Sequence, residues 1–180
     1  SFARERELGI EARRREFETR LANALEMAEN EEQVMIVAGR ALRHVLPQAS
    51  VELLLADNSH AHLQRAIVSG ASPTGPGCHV ESPDRCVASR RGQTQVFDDS
   101  DALDACPYLE HRSYGRCAAV CVPVSIMGRT VGVVHRADPL PVDDIARSAR
   151  PLEVLANQLG ARLGMLRVMI ESQLQASTDP

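Results

Sequence analysis

The residues of this chain best able to do chemistry are its five cysteines, Cys78, Cys86, Cys106, Cys117 and Cys121, all within the middle of a 180-residue sequence. Thiols in a reducing compartment stay unpaired, so a clustered, odd set points to metal ligation or redox sensing rather than to a disulfide framework. The spacing runs C-x7-C, nineteen residues, then C-x10-C-x3-C. It contains no C-x2-C knuckle of a zinc ribbon and no iron–sulfur run. Local context says more. Cys78 stands in Gly77-Cys78-His79 after a Gly/Pro loop, Cys86 in a short helical stretch, and Cys106 before Pro107 near Asp101 and Asp104. Cys117 and Cys121 share a strand, and a period of two puts them with Ala119 on one face and Ala118, Val120, Val122 and Val124 on the other. The expected ligand set for one zinc or iron–sulfur centre is Cys78, Cys86, Cys106 and Cys117, with Cys121, His79 and His135 in reserve. His111 is a further histidine in the region. The competing reading treats the cysteines as small core hydrophobes.

Other chemistries find little to work with. All twenty basic residues are arginine, so there is no P-loop lysine and no Schiff-base nucleophile. Aromatic residues make up 3% and tryptophan is absent, which leaves no platform for stacking bases. The run Arg13-Arg14-Arg15 is interleaved with Glu11, Glu16 and Glu18, the pattern of a solvated helix face and not of a nucleic-acid patch. Asp98-Asp99 and Asp143-Asp144 are adjacent rather than facing, and read as a turn and a helix start. No motif surrounds a Cys–His nucleophile pair. The expectation is a chain without catalytic machinery, without a membrane span or signal peptide, and therefore cytoplasmic.

The elements that must position the thiols follow from periodicity. Phe2 to Met27 is charged and free of proline, with Leu8, Phe17, Leu21 and Leu25 forming a narrow helical seam. Glu31 to Leu46 reads as an amphipathic helix stopped by Pro47. Val51 to Leu55 and His62 to Val68 read as strands around the turn Asp57-Asn58-Ser59, and Ser69 to Gly77 as a loop. Pro83 to Arg91 suits a short helix ended by Gly92, followed by a strand from Thr94 to Phe97. Cys117 to Ile126 and Thr130 to Arg136 form a hairpin through Met127-Gly128-Arg129. From Pro151 to Leu174, Leu152, Leu155, Leu159, Leu163, Leu166, Ile170 and Leu174 recur every three or four residues. Gly160 and Gly164 weaken helix propensity there without breaking the pattern. Such a seam predicts a partner helix.

This order of elements, with the Val122-Pro123-Val124 strand and the returning strand Thr130-Val131-Gly132-Val133-Val134, resembles the GAF family. The resemblance implies an α/β (α+β) fold, a central antiparallel sheet flanked by helices, over about Glu31 to Leu159. It places Cys78, Cys86 and Cys106 in the part that closes over a ligand pocket. The ending Ser177-Thr178-Asp179-Pro180 resembles the linker that leads into diguanylate cyclase (GGDEF) domains of bacterial signalling proteins. The implied organisation is a signalling helix over 1–30, a sensory domain over 31–150 and a coiled-coil transmission helix over 151–180. A parallel homodimer through the terminal helices, and regulation of a cyclase making cyclic di-GMP, follow as expectations. Within the family a bilin on Cys106 and a cyclic nucleotide are alternatives, as is a ligand-free dimerisation module. Pro107 departs from the Cys-His pair usual beside a bilin-bearing cysteine.

Overall fold

The computed structural model describes residues 1–178. Its frame is four helices and five strands: α1 Phe2–Met27, α2 Glu31–Val45, β1 Val51–Ala56, β2 Leu63–Ser69, α3 Val87–Arg91, β3 Gln95–Phe97, β4 Cys117–Ile126, β5 Arg129–Pro139 and α4 Ala149–Thr178. Asp179 and Pro180 of the expected linker lie outside the described residues, and Thr178 is still helical. The strands form one antiparallel sheet in the order β2-β1-β5-β4-β3. The GAF-like α/β architecture expected from the sequence is therefore the one observed.

Local chemistry explains the element ends. Asn30 caps α2 by accepting from the Gln33 amide at 2.9 Å, and the Gln33 side chain accepts from the Glu29 amide at 2.8 Å. The β4–β5 hairpin turns on Met127 and Gly128, both at positive φ (51° and 80°), the two-residue turn whose twist matches the flanking strands. β5 runs to Pro139, three residues past the predicted end, because Ala137 to Pro139 pair with Cys117 to Ala119 of β4.

One face of the sheet is covered by helices. Val51 and Leu53 of β1, with Val120, Val122 and Val124 of β4, meet Val34 and Leu42 of α2 and Leu152, Leu155, Leu159 and Leu163 of α4 in one apolar core. α4 lies so close on β4 that a Cβ on Gly160 would collide with the Ser125 carbonyl oxygen, so this glycine serves close approach. α1 packs on α4 through Leu21 and Leu25, and the Arg162 guanidinium donates to the Ala28 carbonyl at 2.7 Å. The leucine seam of α4 thus has its partner inside the chain as far as Leu166. Only its continuation, Ile170 and Leu174, stays exposed, with Met165, Val168 and Met169 beside it. On α1 the seam is likewise buried at Leu21 and Leu25 and exposed at Leu8.

The other face is covered by the irregular chain between β2 and β4, whose regular pieces are α3, two short 3-10 turns and β3. All five cysteines lie on this side or in its cover.

Candidate functional site

A row of cross-strand partners sets the floor of the site. Glu52 of β1 is opposite His135 of β5, and His135 is opposite Cys121 of β4. All three point away from the helix core, since their neighbours Val51, Leu53, Val120, Val122 and Val134 fill it. Glu52 and His135 are each only 1% exposed. A carboxylate and an imidazole buried in mid-sheet need partners, and the cover supplies them. The Cys78 amide donates to the Glu52 carboxylate at 2.9 Å. Burial nevertheless raises the Glu52 pKa, opposed by that bond and by the charges of Arg112 and Arg65.

Arg112 is the centre of the cover. Its Nε donates to the Tyr108 carbonyl at 3.0 Å, and its Nη1 reaches the Pro76 carbonyl at 2.7 Å, the Tyr114 hydroxyl at 3.0 Å and His135 Nε2 at 3.1 Å. Its Nη2 is buried with no hydrogen-bond partner in the protein. A guanidinium can only donate, so His135 Nε2 must accept and the ring proton sits on Nδ1. Nδ1–H then faces Cys121 Sγ at 3.1 Å. Burial first, and the Arg112 charge second, push the His135 pKa down to about 3, which fixes the ring as neutral. In this arrangement neither ring nitrogen has a lone pair free for a metal.

Cys121, Cys78, Cys86 and Cys106 line one small cavity of about 20 Å³, with His135 and Arg112 at its edge. Four separate segments deliver these thiols: β4, the chain after the Gly/Pro loop, the start of α3 and the residue before a 3-10 turn. Burial raises the thiol pKa of Cys78 to about 11 and moves Cys106 and Cys121 upward as well. Metal-free, these are protonated thiols near neutral pH. Among the described residues, no three His, Cys, Asp or Glu side chains form a metal-holding group as they stand.

The other expected residues lie elsewhere. Cys117 is fully buried in a neighbouring cluster with Leu109, Ala119 and Ala137. Its amide donates to the Ser100 hydroxyl at 3.0 Å and its Sγ faces the Leu109 carbonyl. It shares the face of Cys121, as the period of two required, but does not line the cavity of the other four. His79 and His111 are exposed and line an open cleft of about 810 Å³ outside Arg112, bordered also by Glu52, Arg65 and Tyr114. Sequence reasoning missed Glu52 and Arg112. Glu52 carried a readable signal, being the one charged residue in the apolar strand Val51–Ala56. Arg112, in an irregular segment among exposed neighbours, carried none.

No family model and no curated protein matches the chain. Solved structures do. The GAF domain of an Acinetobacter phosphoenolpyruvate-protein phosphotransferase superposes with a TM-score of 0.66 at 14% identity, over 86% of this chain and 95% of that one. The fold is that of a GAF domain. A Neisseria meningitidis free methionine-R-sulfoxide reductase, solved with its substrate, gives 0.62 at 22% identity over 86% and 90%. A far-red-absorbing domain with bound biliverdin gives 0.61 at 14% over 84% and 99%. The GAF fold thus includes binding domains and an enzyme, and the fold alone does not choose between them. None of the described helices is long and apolar enough to cross a membrane.

Proposed function

We propose that this chain is a regulatory sensory domain of the GAF kind whose detecting element is the thiol cluster between the sheet and its irregular cover. The observation that supports the reading most is the convergence of Cys78, Cys86, Cys106 and Cys121, from four segments, on one cavity that the cross-strand neighbours His135 and Cys121 line from the sheet side. A cysteine-ligated metal, an iron–sulfur centre or a change of thiol redox state at this place would tie the cover to the sheet. β4 carries Cys121 on one face and packs against α4 with the other, so a shift of β4 reaches α4 directly. α4 then carries the change toward an output domain, for which a diguanylate cyclase is the proposal. The exposed Met165, Val168, Met169, Ile170 and Leu174 of α4 and Leu8 and Ile10 of α1 supply apolar surface for a parallel homodimer of terminal helices. The setting proposed is the cytoplasm, where thiols stay reduced.

The test is amide exchange on the reduced chain before and after zinc, ferrous iron with sulfide, or peroxide. Slower exchange over residues 76–116 together with a change in α4 supports the reading. No response to any of the three contradicts it.

A second reading is favoured by the likeness to a free methionine-R-sulfoxide reductase together with the thiol cluster: reduction of a free sulfoxide by the cysteines. Turnover of free methionine-R-sulfoxide with a dithiol reductant would establish it, and no turnover leaves the non-catalytic sensor as the proposal.

A further inference from the structure

We propose that Cys78, Cys86, Cys106 and Cys121 form an all-thiolate tetrahedral site for one zinc-class ion, braced by Arg112 and His135 from outside the ligand set. The inference rests on reading the thiol cluster as the detecting element, and narrows that reading to one chemistry and one set of four ligands.

The size of the cavity is the first argument. About 20 Å³ holds roughly one water-sized sphere, which gives a bare ion room among the sulfurs. Zn–S bonds of about 2.3 Å require the four sulfurs to draw together. The thiols do not form such a group as they stand, but three of the four are on backbone outside the sheet. Cys78 follows a loop, Cys86 caps α3 and Cys106 precedes a 3-10 turn. They can close on Cys121, the one ligand fixed in a strand, without breaking a ladder hydrogen bond.

The surroundings are the second argument. Four thiols binding one divalent ion release four protons to solvent and leave a dianionic site, with no change of oxidation state. A buried dianion needs compensation. Arg112 borders the cavity with its positive charge, and its buried Nη2 lacks an acceptor that a thiolate sulfur would provide. His135 cannot ligate, because Arg112 occupies Nε2 and Nδ1 carries the proton. Its Nδ1–H is instead a donor to Cys121 Sγ, at 3.1 Å. Donors to a ligating atom orient it and tune affinity, so His135 is a positioning residue.

The experiment uses the whole chain, reduced, metal-free and anaerobic, titrated with Co²⁺. One equivalent per chain should give a sulfur-to-cobalt charge-transfer band that Zn²⁺ abolishes. Cys86→Ala and Cys121→Ala should remove the four-thiolate band, and Cys117→Ser should leave it. His135→Leu should weaken binding by about 10–100-fold and shift the band. His135→Asn, whose amide N–H can stand where Nδ1–H stood, should restore both. X-ray absorption of the zinc-loaded unmutated chain should show a shell of four sulfurs, so the outcome does not depend on a variant that fails to fold. A nitrogen in that shell, a band lost in Cys117→Ser, or no band at one equivalent overturns the site. If metal is refused while peroxide alters exchange over residues 76–116, the single-ion site falls and the sensory reading stands. If every perturbant is silent, both fall.

Discussion

The two faces of β4 are built on opposite terms. Val120, Val122 and Val124 face long regular helices in a large aliphatic core, whereas Cys117, Ala119 and Cys121 face irregular chain across small side chains and a buried polar row. Large branched side chains under α2 and α4 leave little room for change and carry the stability. Small side chains and a cover whose regular pieces are short leave an atom-sized cavity. On the proposed reading the thiol face receives a perturbation and the helix face transmits it.

Substitutions should separate the faces by size of effect. Leu163→Asp puts an unpaired charge where exposure is 0% and should cost more than about 4 kcal/mol, abolishing cooperative folding by circular dichroism. If it merely dissociated a dimer with the fold intact, the assignment of this leucine to the chain's own core would be wrong. Leu159→Ala, also at 0% exposure, should cost about 2–5 kcal/mol in denaturant unfolding. Gly160→Ala must push α4 away from the Ser125 carbonyl, and an overpacking cost of about 1–3 kcal/mol is expected. On the thiol face, Cys106→Ala should cost no more than about 1 kcal/mol, because the side chain is half-buried beside an existing cavity. A melt as depressed as that of Leu159→Ala would erase the contrast between the faces. Smallest of all, Ile170→Glu with Leu174→Glu should leave unfolding within about 0.5 kcal/mol per site, both being exposed. Light scattering on that variant reads the proposed homodimer: a shift to monomer supports it, and an unchanged mass removes these residues from any interface.

Where the sequence was legible, periodicity and caps made it so. The 3.6-residue period of α1, α2 and α4, and the Met127-Gly128 turn between two apolar strands, put those elements within a few residues of their observed bounds. The same periodicity could not name what covers the seam: leucines every three or four residues say that a face is buried, not against what, and here the chain's own core fills it as far as Leu166. Of the thiols that line the cavity, Cys78, Cys86 and Cys106 were legible as one region from their context. Between Cys117 and Cys121 the strand period could not choose, because both lie on one face. The cover distinguishes them, with Leu109 packed against Cys117 and the cavity beside Cys121. Arg112 was illegible because its role comes from bonds to Pro76, Tyr108 and His135, residues distant in sequence or reached only through a loop conformation.

The central claim, that four of the five thiols act as one unit, is tested most directly by differential alkylation of the native chain with mass mapping, across a titration of zinc. Cys78, Cys86, Cys106 and Cys121 are expected to lose reactivity together, at one midpoint, while Cys117, enclosed in its own cluster, does not change. Five thiols changing independently, or Cys117 changing in step with the others, would contradict it.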